Sequence, residues 1–283
     1  MPLALILSSY VAGSRVGGMV QALALAQFRI DPVLVPTVIY GRHPGWGPPG
    51  GAAVDPKTFK AVIDGVAAQG LLNLSDVILT GYFASAEQVW IAAETIDRAK
   101  AADREGANRP KLTVIVDPIM GDAETGLYVK EEVAEAIALD LVPRADVITP
   151  NLWELGRISG RKATTAREAL QIARTLDRAV LVTSVPGGKD EIGLLYVDRR
   201  TSTLAVHKRL EGVPRGTGDL VTGLFAAALI EGQPPYQAVF RTAQGVAEAA
   251  EAAIDWYAPE LPVVALRERL VRPTAGVRIE TLS

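Results

Sequence analysis

In Leu112-Thr113-Val114-Ile115-Val116-Asp117-Pro118-Ile119-Met120-Gly121-Asp122 (LTVIVDPIMGD), the short β-type run Leu112–Val116 leads straight into a carboxylate. A run with no polar alternation suits a strand covered on both faces. Asp117 then stands at the carboxyl end of that strand, the edge where open parallel sheets place ligands. Runs of the same kind occur at Leu3–Ser8, Pro32–Thr37, Val77–Thr80, Val147–Thr149 and Ala179–Thr183. Between them, Val16–Gln27, Pro56–Gln69, Ala84–Glu105, Lys130–Ala138, Leu152–Ser159 and Thr165–Leu176 carry apolar residues three and four apart, which predicts helices. Strand and helix alternating in this way predict an α/β fold, with a central, mostly parallel sheet and helices on both faces.

Past residue 183 the rhythm changes. Ile192–Val197 and Thr201–Lys208, joined by Asp198-Arg199-Arg200, predict an antiparallel hairpin at one edge of the sheet. Helical patterns follow at Asp219–Ile230 and Pro235–Ala253, and the charged tail after Glu260 predicts a terminal helix and a solvated end. The segment Gly41–Gly51 (GRHPGWGPPGG) is too near the N-terminus to link two domains. It predicts a mobile lid loop at about 40–52 over a site, within one domain spanning residues 1–283.

The composition narrows the function. The 283 residues include no cysteine, so thiolate metal sites, disulfides and a cysteine nucleophile are excluded. A net charge of −3 gives no overall basic field for nucleic acid or an anionic membrane. The first apolar run, Leu3–Leu7, is too short to span a bilayer or form a signal-peptide core. The expectation is a soluble, cytoplasmic protein with neither kind of partner.

Gly216-Thr217-Gly218-Asp219 stands directly before an apolar helical run. Glycines there free several backbone N–H groups at a helix N-terminus, where unpaired amides and the helix dipole favour an anion. A carboxylate beside such a cradle can take a proton from an attacking hydroxyl. Capping of the helix by Asp219 is an equally weighted reading of the spacing alone. The pattern is not G-x-G-x-x-G, and Gly187-Gly188-Lys189 has Thr183 where a P-loop needs its first glycine. Thr149-Pro150-Asn151-Leu152-Trp153-Glu154 follows another strand, so Asn151 and Glu154 can face one ligand across a helical turn or can form a capping box. Hard oxygen ligands of this kind suit magnesium. Thr183-Ser184 offers hydroxyls at a third strand end, for phosphate oxygens or for turn backbone.

Together these motifs resemble the ribokinase-like superfamily, in particular its pyridoxal kinase branch. Ser9, the loop around His43, Thr80-Gly81-Tyr82, Asp117 to Asp122, Thr149-Pro150-Asn151 with Glu154, Thr183-Ser184 and Gly216 to Asp219 fall in that family's order over nearly the whole chain. Val213-Pro214, where sugar kinases of the superfamily carry Asp-Thr, favours the same branch. The resemblance implies a three-layer α/β/α fold with antiparallel edge strands. It further implies an ATP- and Mg2+-dependent kinase acting on the 5′-hydroxyl of pyridoxal or a related vitamin B6 compound, working as a homodimer, with a monovalent cation left open. Asp219 is then the base, and the amides of Gly216, Thr217 and Gly218 stabilise the transferring phosphoryl group. Asp117, Asp122, Thr149 and Glu154 lie near the metal. Asp117, Thr149, Asn151, Thr183 and Ser184 lie near the nucleotide, and Ser9, His43 and Tyr82 hold the substrate with Asp219.

The departures lie in the substrate half. Tyr10 stands where the family usually has His, and Gly41-Arg42-His43-Pro44 replaces Ser-Asn-His-Thr, so a proline occupies a hydroxyl's place. Two alternatives follow: a hydroxymethylpyrimidine kinase of thiamin synthesis, and a catalytically weak binding protein that kept the nucleotide or vitamin contacts. The second sits poorly with an intact Asp219. His207, within a strand pattern, is expected to be structural, and Trp90 and Trp256 are expected to pack on helices.

Overall fold

The computed structural model describes residues 1–104 and 111–282, so Glu105, the last residue of one expected helix, lies outside the described residues. In chain order the strands are β1 (Leu3–Val11), β2 (Asp31–Tyr40), β3 (Gly51–Ala53), β4 (Val77–Thr80), β5 (Thr113–Val116), β6 (Gly121–Asp122), β7 (Gly126–Leu127), β8 (Val147–Ile148), β9 (Ala179–Pro186), β10 (Glu191–Val197), β11 (Ser202–Lys208) and β12 (Arg278–Thr281). The helices are α1 (Gly17–Gln27), α2 (Pro56–Ala68), α3 (Leu71–Leu74), α4 (Ala86–Ala101), α5 (Glu131–Ala136), α6 (Leu152–Ser159), α7 (Ala166–Ala173), α8 (Thr217–Ile230), α9 (Pro235–Asp255) and α10 (Arg267–Val271).

The main sheet runs β12-β11-β10-β9-β8-β5-β4-β1-β2-β3, and β6 pairs with β7 apart from it. From β2 to β9 every pairing is parallel. The strands beyond, β3 on one side and β10, β11 and β12 on the other, are antiparallel. The chain leaves β1 towards β2 in one direction and later crosses to β4 and onward in the other. The crevice outside the carboxyl ends of β1 and β4 is therefore the sheet's topological switch point.

Alternation along each strand divides the core between two helical layers. Ala4 and Ile6 of β1 join Val20, Leu224 and Phe225 on the face covered by α1, α8 and α9. Leu5 and Leu7 join Phe59, Ile96 and Leu155 on the face covered by α2, α4 and α6. Both faces of β4 are buried, which is why Val77–Thr80 carries no polar alternation.

Three expectations are corrected. The β10–β11 hairpin is not outermost, because the tail after Glu260 forms α10 and then β12, which pairs along β11 from Thr203 to Val206. Charged Arg278 and Glu280 alternate with Ile279 and Thr281 in it, as suits an exposed edge strand, and this concealed it in a charged tail. The 40–52 segment is the tip of a β2–β3 hairpin, with a 3-10 turn at Pro44–Trp46, instead of a plain loop. The expected helix over Lys130–Ala138 becomes α5 followed by a π turn at Ile137–Leu141.

The hairpin's legs are anchored from below. Gln88, fully buried on α4, donates from Nε2 to Thr37 O at 2.8 Å and to Val54 O at 2.7 Å, so one amide ties β2 to the residue following β3. His207 has Nδ1 at 2.9 Å from Lys208 O on β11, a structural placement. Trp90 is half exposed, with Nε1 donating to Asp140 at 3.1 Å, and Trp256 is likewise half exposed.

Because Ile78 sits in the sheet centre at 0% exposure, Ile78→Ala should cost about 2–5 kcal/mol in urea denaturation. Leu139→Ala, at a position 74% exposed, should change stability by less than about 0.5 kcal/mol.

Candidate active site

The N-terminus of α8 is built for an anion. Its cap residue Gly216 has φ +101° and makes no side-chain capping bond, so the first amides of the helix stay open. A Cβ at Gly216 would lie 2.2 Å from Arg15 O, which fixes glycine there sterically as well as conformationally. Asp219 is not the cap: it sits inside the first turn, and its Oδ1 is buried with no hydrogen-bond partner. Gly17 N–H hydrogen-bonds to the carboxylate, yet burial still raises its pKa to about 6. Gly17 has φ +56°, and a Cβ on it would fall 2.0 Å from Ser9 Oγ. Ser9, buried on β1, and Asp219 on α8 thus approach Gly17 from two sides.

Asp117 faces this helix from the end of β5. Its Oδ2 accepts from Thr222 Oγ1 at 3.0 Å, and Thr222 Oγ1 is 3.0 Å from Thr149 Oγ1 at the end of β8. Burial first, then the charges of Asp219 and Glu154, push the Asp117 carboxyl well above its usual range, against the pull of the two threonine hydroxyls. Glu154 is buried on α6 and is raised to about 7, again chiefly by burial. Its Oε1 accepts from Met120 N at 2.9 Å, and its Oε2 accepts from Asn151 N at 2.9 Å.

Asn151 and Glu154 form the capping box: Asn151 Oδ1 accepts from Trp153 N and Glu154 N, both at 2.9 Å. Asn151 Nδ2 donates to Gly121 O at 2.8 Å, so both ends of that amide are engaged. Asp122 lies in the β6–β7 turn, where it accepts from Glu124 N at 2.9 Å, Thr125 N at 2.6 Å and Tyr128 Oη at 2.8 Å. Its carboxylate accepts from three protein donors, and its charge acts on Glu154. Thr183 is buried beside Asn151 through a parallel bridge, whereas Ser184 is exposed with φ +57°. Strand β9 continues past it to Pro186, with a register shift opposite in β10, so Ser184 sits on a bulge that turns it outward.

On the substrate side, Tyr82 is half-buried after β4, and its carbonyl accepts from Thr37 Oγ1 at 2.6 Å. Burial, with Tyr40 nearby, raises its hydroxyl pKa. His43 caps the 3-10 turn, with Nδ1 accepting from Gly45 N at 3.0 Å, which leaves the proton on Nε2. Burial and the Arg215 charge lower its pKa against the opposing charge of Glu260, so it is neutral at pH 7. Tyr10, the departure noted in the sequence, is partly buried on β1 across from Ile39.

The arrangement fits a magnesium–nucleotide complex. Asp117 and Glu154 provide hard oxygen, Thr149 and Thr222 provide hydroxyls, and the amides at the start of α8 face the same place. Among the described residues no group of three acidic or imidazole side chains can hold a metal alone. Magnesium held by one or two carboxylates, water and phosphate oxygens needs no such group.

Sequence reasoning missed Thr222, which links Asp117 to Thr149, and Gly17, whose amide reaches Asp219. It also missed Ser8 Oγ, which, like Thr80 Oγ1 of the Thr80-Gly81-Tyr82 motif, is buried without a hydrogen-bond partner near a strand end. A lone hydroxyl inside the apolar run Leu220–Ile230 and a Gly17-Gly18 pair after the first strand were the available signals.

Comparison with known proteins gives a consistent result. The chain matches the family described as phosphomethylpyrimidine kinase over residues 53–263. It is 36% identical to a pyridoxine/pyridoxal/pyridoxamine kinase of Bordetella avium, over 82% of this chain and 78% of that one. It is 28% identical to a pyridoxal kinase of Pseudomonas putida, over 100% of this chain and 98% of that one. Among solved structures, the pyridoxal kinase of Leishmania donovani in complex with ADP and pyridoxine superposes with a TM-score of 0.91 at 25% identity, covering 99% of each chain. The pyridoxal kinase of Entamoeba histolytica gives 0.89 at 26% identity, covering 100% of each.

The buried Asp219 charge has a thermodynamic signature. With a folded pKa of about 6 above an unfolded value of about 3.9, its ionisation destabilises the folded state. Asp219→Asn should therefore stabilise the protein by about 3 kcal/mol at pH 8 in urea denaturation. The gain should shrink as pH falls through about 6 and vanish below about pH 4.

Proposed function

This chain belongs to the phosphomethylpyrimidine kinase family and, with its full-length relatives, to the pyridoxal kinases; on that footing we propose that it transfers the γ-phosphoryl group of ATP to the 5′-hydroxyl of pyridoxal. The observation that carries the proposal is Asp219, a buried carboxylate with an unpartnered oxygen in the first turn of an uncapped helix. Ionised above a pKa of about 6, it is a competent base at neutral pH.

In this mechanism Asp219 accepts the hydroxyl proton as the substrate oxygen bonds to the γ-phosphorus. The bond from that phosphorus to the bridging oxygen breaks, giving the phosphate ester and ADP, and Asp219 later returns its proton to solvent. The amides of Gly216, Thr217 and Gly218 hold the transferring group and stabilise its charge without reorganising. Asp117, Thr149 and Glu154 hold Mg2+, directly or through water. When bound, Mg2+ offsets charge on the phosphate oxygens. Thr183 lies along the nucleotide's path, with Ser184 at its exposed rim. Ser9 donates to the pyridine substrate, Tyr82 packs on its ring, and His43 offers Nε2–H from the lid. The β2–β3 hairpin tip closes over the site and excludes water.

The test is an assay with ATP and Mg2+ offering pyridoxal, pyridoxine, pyridoxamine and hydroxymethylpyrimidine in parallel. Pyridoxal should be phosphorylated, and Asp219→Asn should lower kcat by about a thousandfold. The wild-type rate should fall as pH drops below about 6, where the base is protonated. Turnover of the pyrimidine alone would contradict the proposal.

A further inference from the structure

Arg215 lies between Pro214 and Gly216, at the entrance to the amide cradle of α8. Its side chain is exposed, and it makes no hydrogen bond or ion pair with any described residue. It is nevertheless not free in solvent. A Cβ built on Gly45 would lie 3.4 Å from Arg215 Nε, so the tip of the β2–β3 hairpin lies beside the guanidinium, with room for no more than a small residue between them. Its charge also reaches His43 on the hairpin and Tyr128 beyond the β6–β7 turn. The hairpin's own arginine, Arg42, is engaged within the loop, with Nε donating to Pro48 O at 2.9 Å.

An unpaired guanidinium at this point has a physical consequence. The site it borders concentrates negative charge: Asp117, Asp219 and Glu154 are all shielded from solvent there, and the chain as a whole carries −3. An anionic nucleotide entering such a place needs positive charge supplied locally. The amides supply dipoles, and Arg215 can supply a full charge with a planar fork suited to phosphate oxygens. Its position beside Gly216 puts the fork within side-chain reach of whatever the amides hold.

We propose that Arg215 is a phosphate-contacting residue that grips the phosphoryl group as it passes from nucleotide to acceptor, while its contact with Gly45 seats the hairpin tip over that group. The proposal deepens the kinase reading and rests on it. The grip belongs to the transferring group and to the phosphate of the product, not to the ring of the unphosphorylated substrate. Arg215 therefore separates phosphorylated from unphosphorylated ligands, which the ring contacts of Ser9 and Tyr82 cannot do.

The experiment compares wild type, Arg215→Gln and Arg215→Lys in two measurements. In steady-state kinetics, Arg215→Gln should lower kcat at least tenfold while KM for pyridoxal stays within threefold, and Arg215→Lys should recover part of the loss. In equilibrium titration without nucleotide, followed by absorbance, Arg215→Gln should bind pyridoxal 5′-phosphate at least tenfold more weakly, with pyridoxal affinity within threefold of wild type. Equal kcat and equal product affinity in Arg215→Gln would overturn the proposal. Parallel loss of pyridoxal and product affinity would also overturn it, since that pattern marks a structural role for the hairpin contact. Failure of wild type to phosphorylate pyridoxal would instead strike the kinase reading, and the titration would still decide whether Arg215 recognises a phosphate ester.

Discussion

Thr222 Oγ1 stands 3.0 Å from Asp117 Oδ2 and 3.0 Å from Thr149 Oγ1, and the geometry of the site depends on that one hydroxyl. It lies one helical turn after Asp219 on α8, so it locks the start of that helix onto the carboxyl ends of β5 and β8. With its proton given to Asp117, it can accept from Thr149, and a single side chain satisfies two buried strand ends. The amide cradle, the unpartnered Asp219 oxygen and the Asp117 carboxylate keep their mutual positions because this link is short and buried. Gly17 fixes the same helix from the β1 side through its amide to Asp219. The carboxylates and the amide cradle thus sit on rigid elements, and the base of the β2–β3 hairpin is tied to α4 by Gln88.

The electrostatics follow from burial. Carboxylates withdrawn from water repel one another and hold protons more tightly, which is the physical origin of the raised pKa values at Asp117, Glu154 and Asp219. Such a cluster is costly for the free protein and favourable for one that must bind a divalent cation and take up a proton during turnover. The opposite field stands close by, in the open amides of α8 and the guanidinium of Arg215.

Much of this was legible in residues with strong local signals. Val77–Thr80 and Leu152–Ser159 match their elements at both ends, because Gly81 follows the strand, Asn151 caps the helix and Gly160 ends it in a left-handed conformation. The α8 cradle was legible because glycines before an apolar run leave few other structures open. Three features were not. Thr222 looked like an interruption in a core helix, since its partners come from distant strands. Ser184 adopts a positive φ that only the bulge between β9 and β10 demands. Arg278–Thr281 joins the sheet by pairing with β11, a long-range contact that outweighs its charged composition. Asn151 and Glu154 were readable as either a capping box or ligand groups, and they form the capping box while keeping Glu154 buried beside Asp117.

The most direct measurement of the central claim is a crystal structure of the protein with ADP, Mg2+ and pyridoxal bound together. The β-phosphate should point at the amides of Gly216 to Gly218 from one phosphoryl group's distance, and the 5′-hydroxyl should sit within about 2.6–3.2 Å of an Asp219 carboxylate oxygen. A nucleotide bound away from the α8 N-terminus, or a hydroxyl with no path to Asp219, would contradict the account.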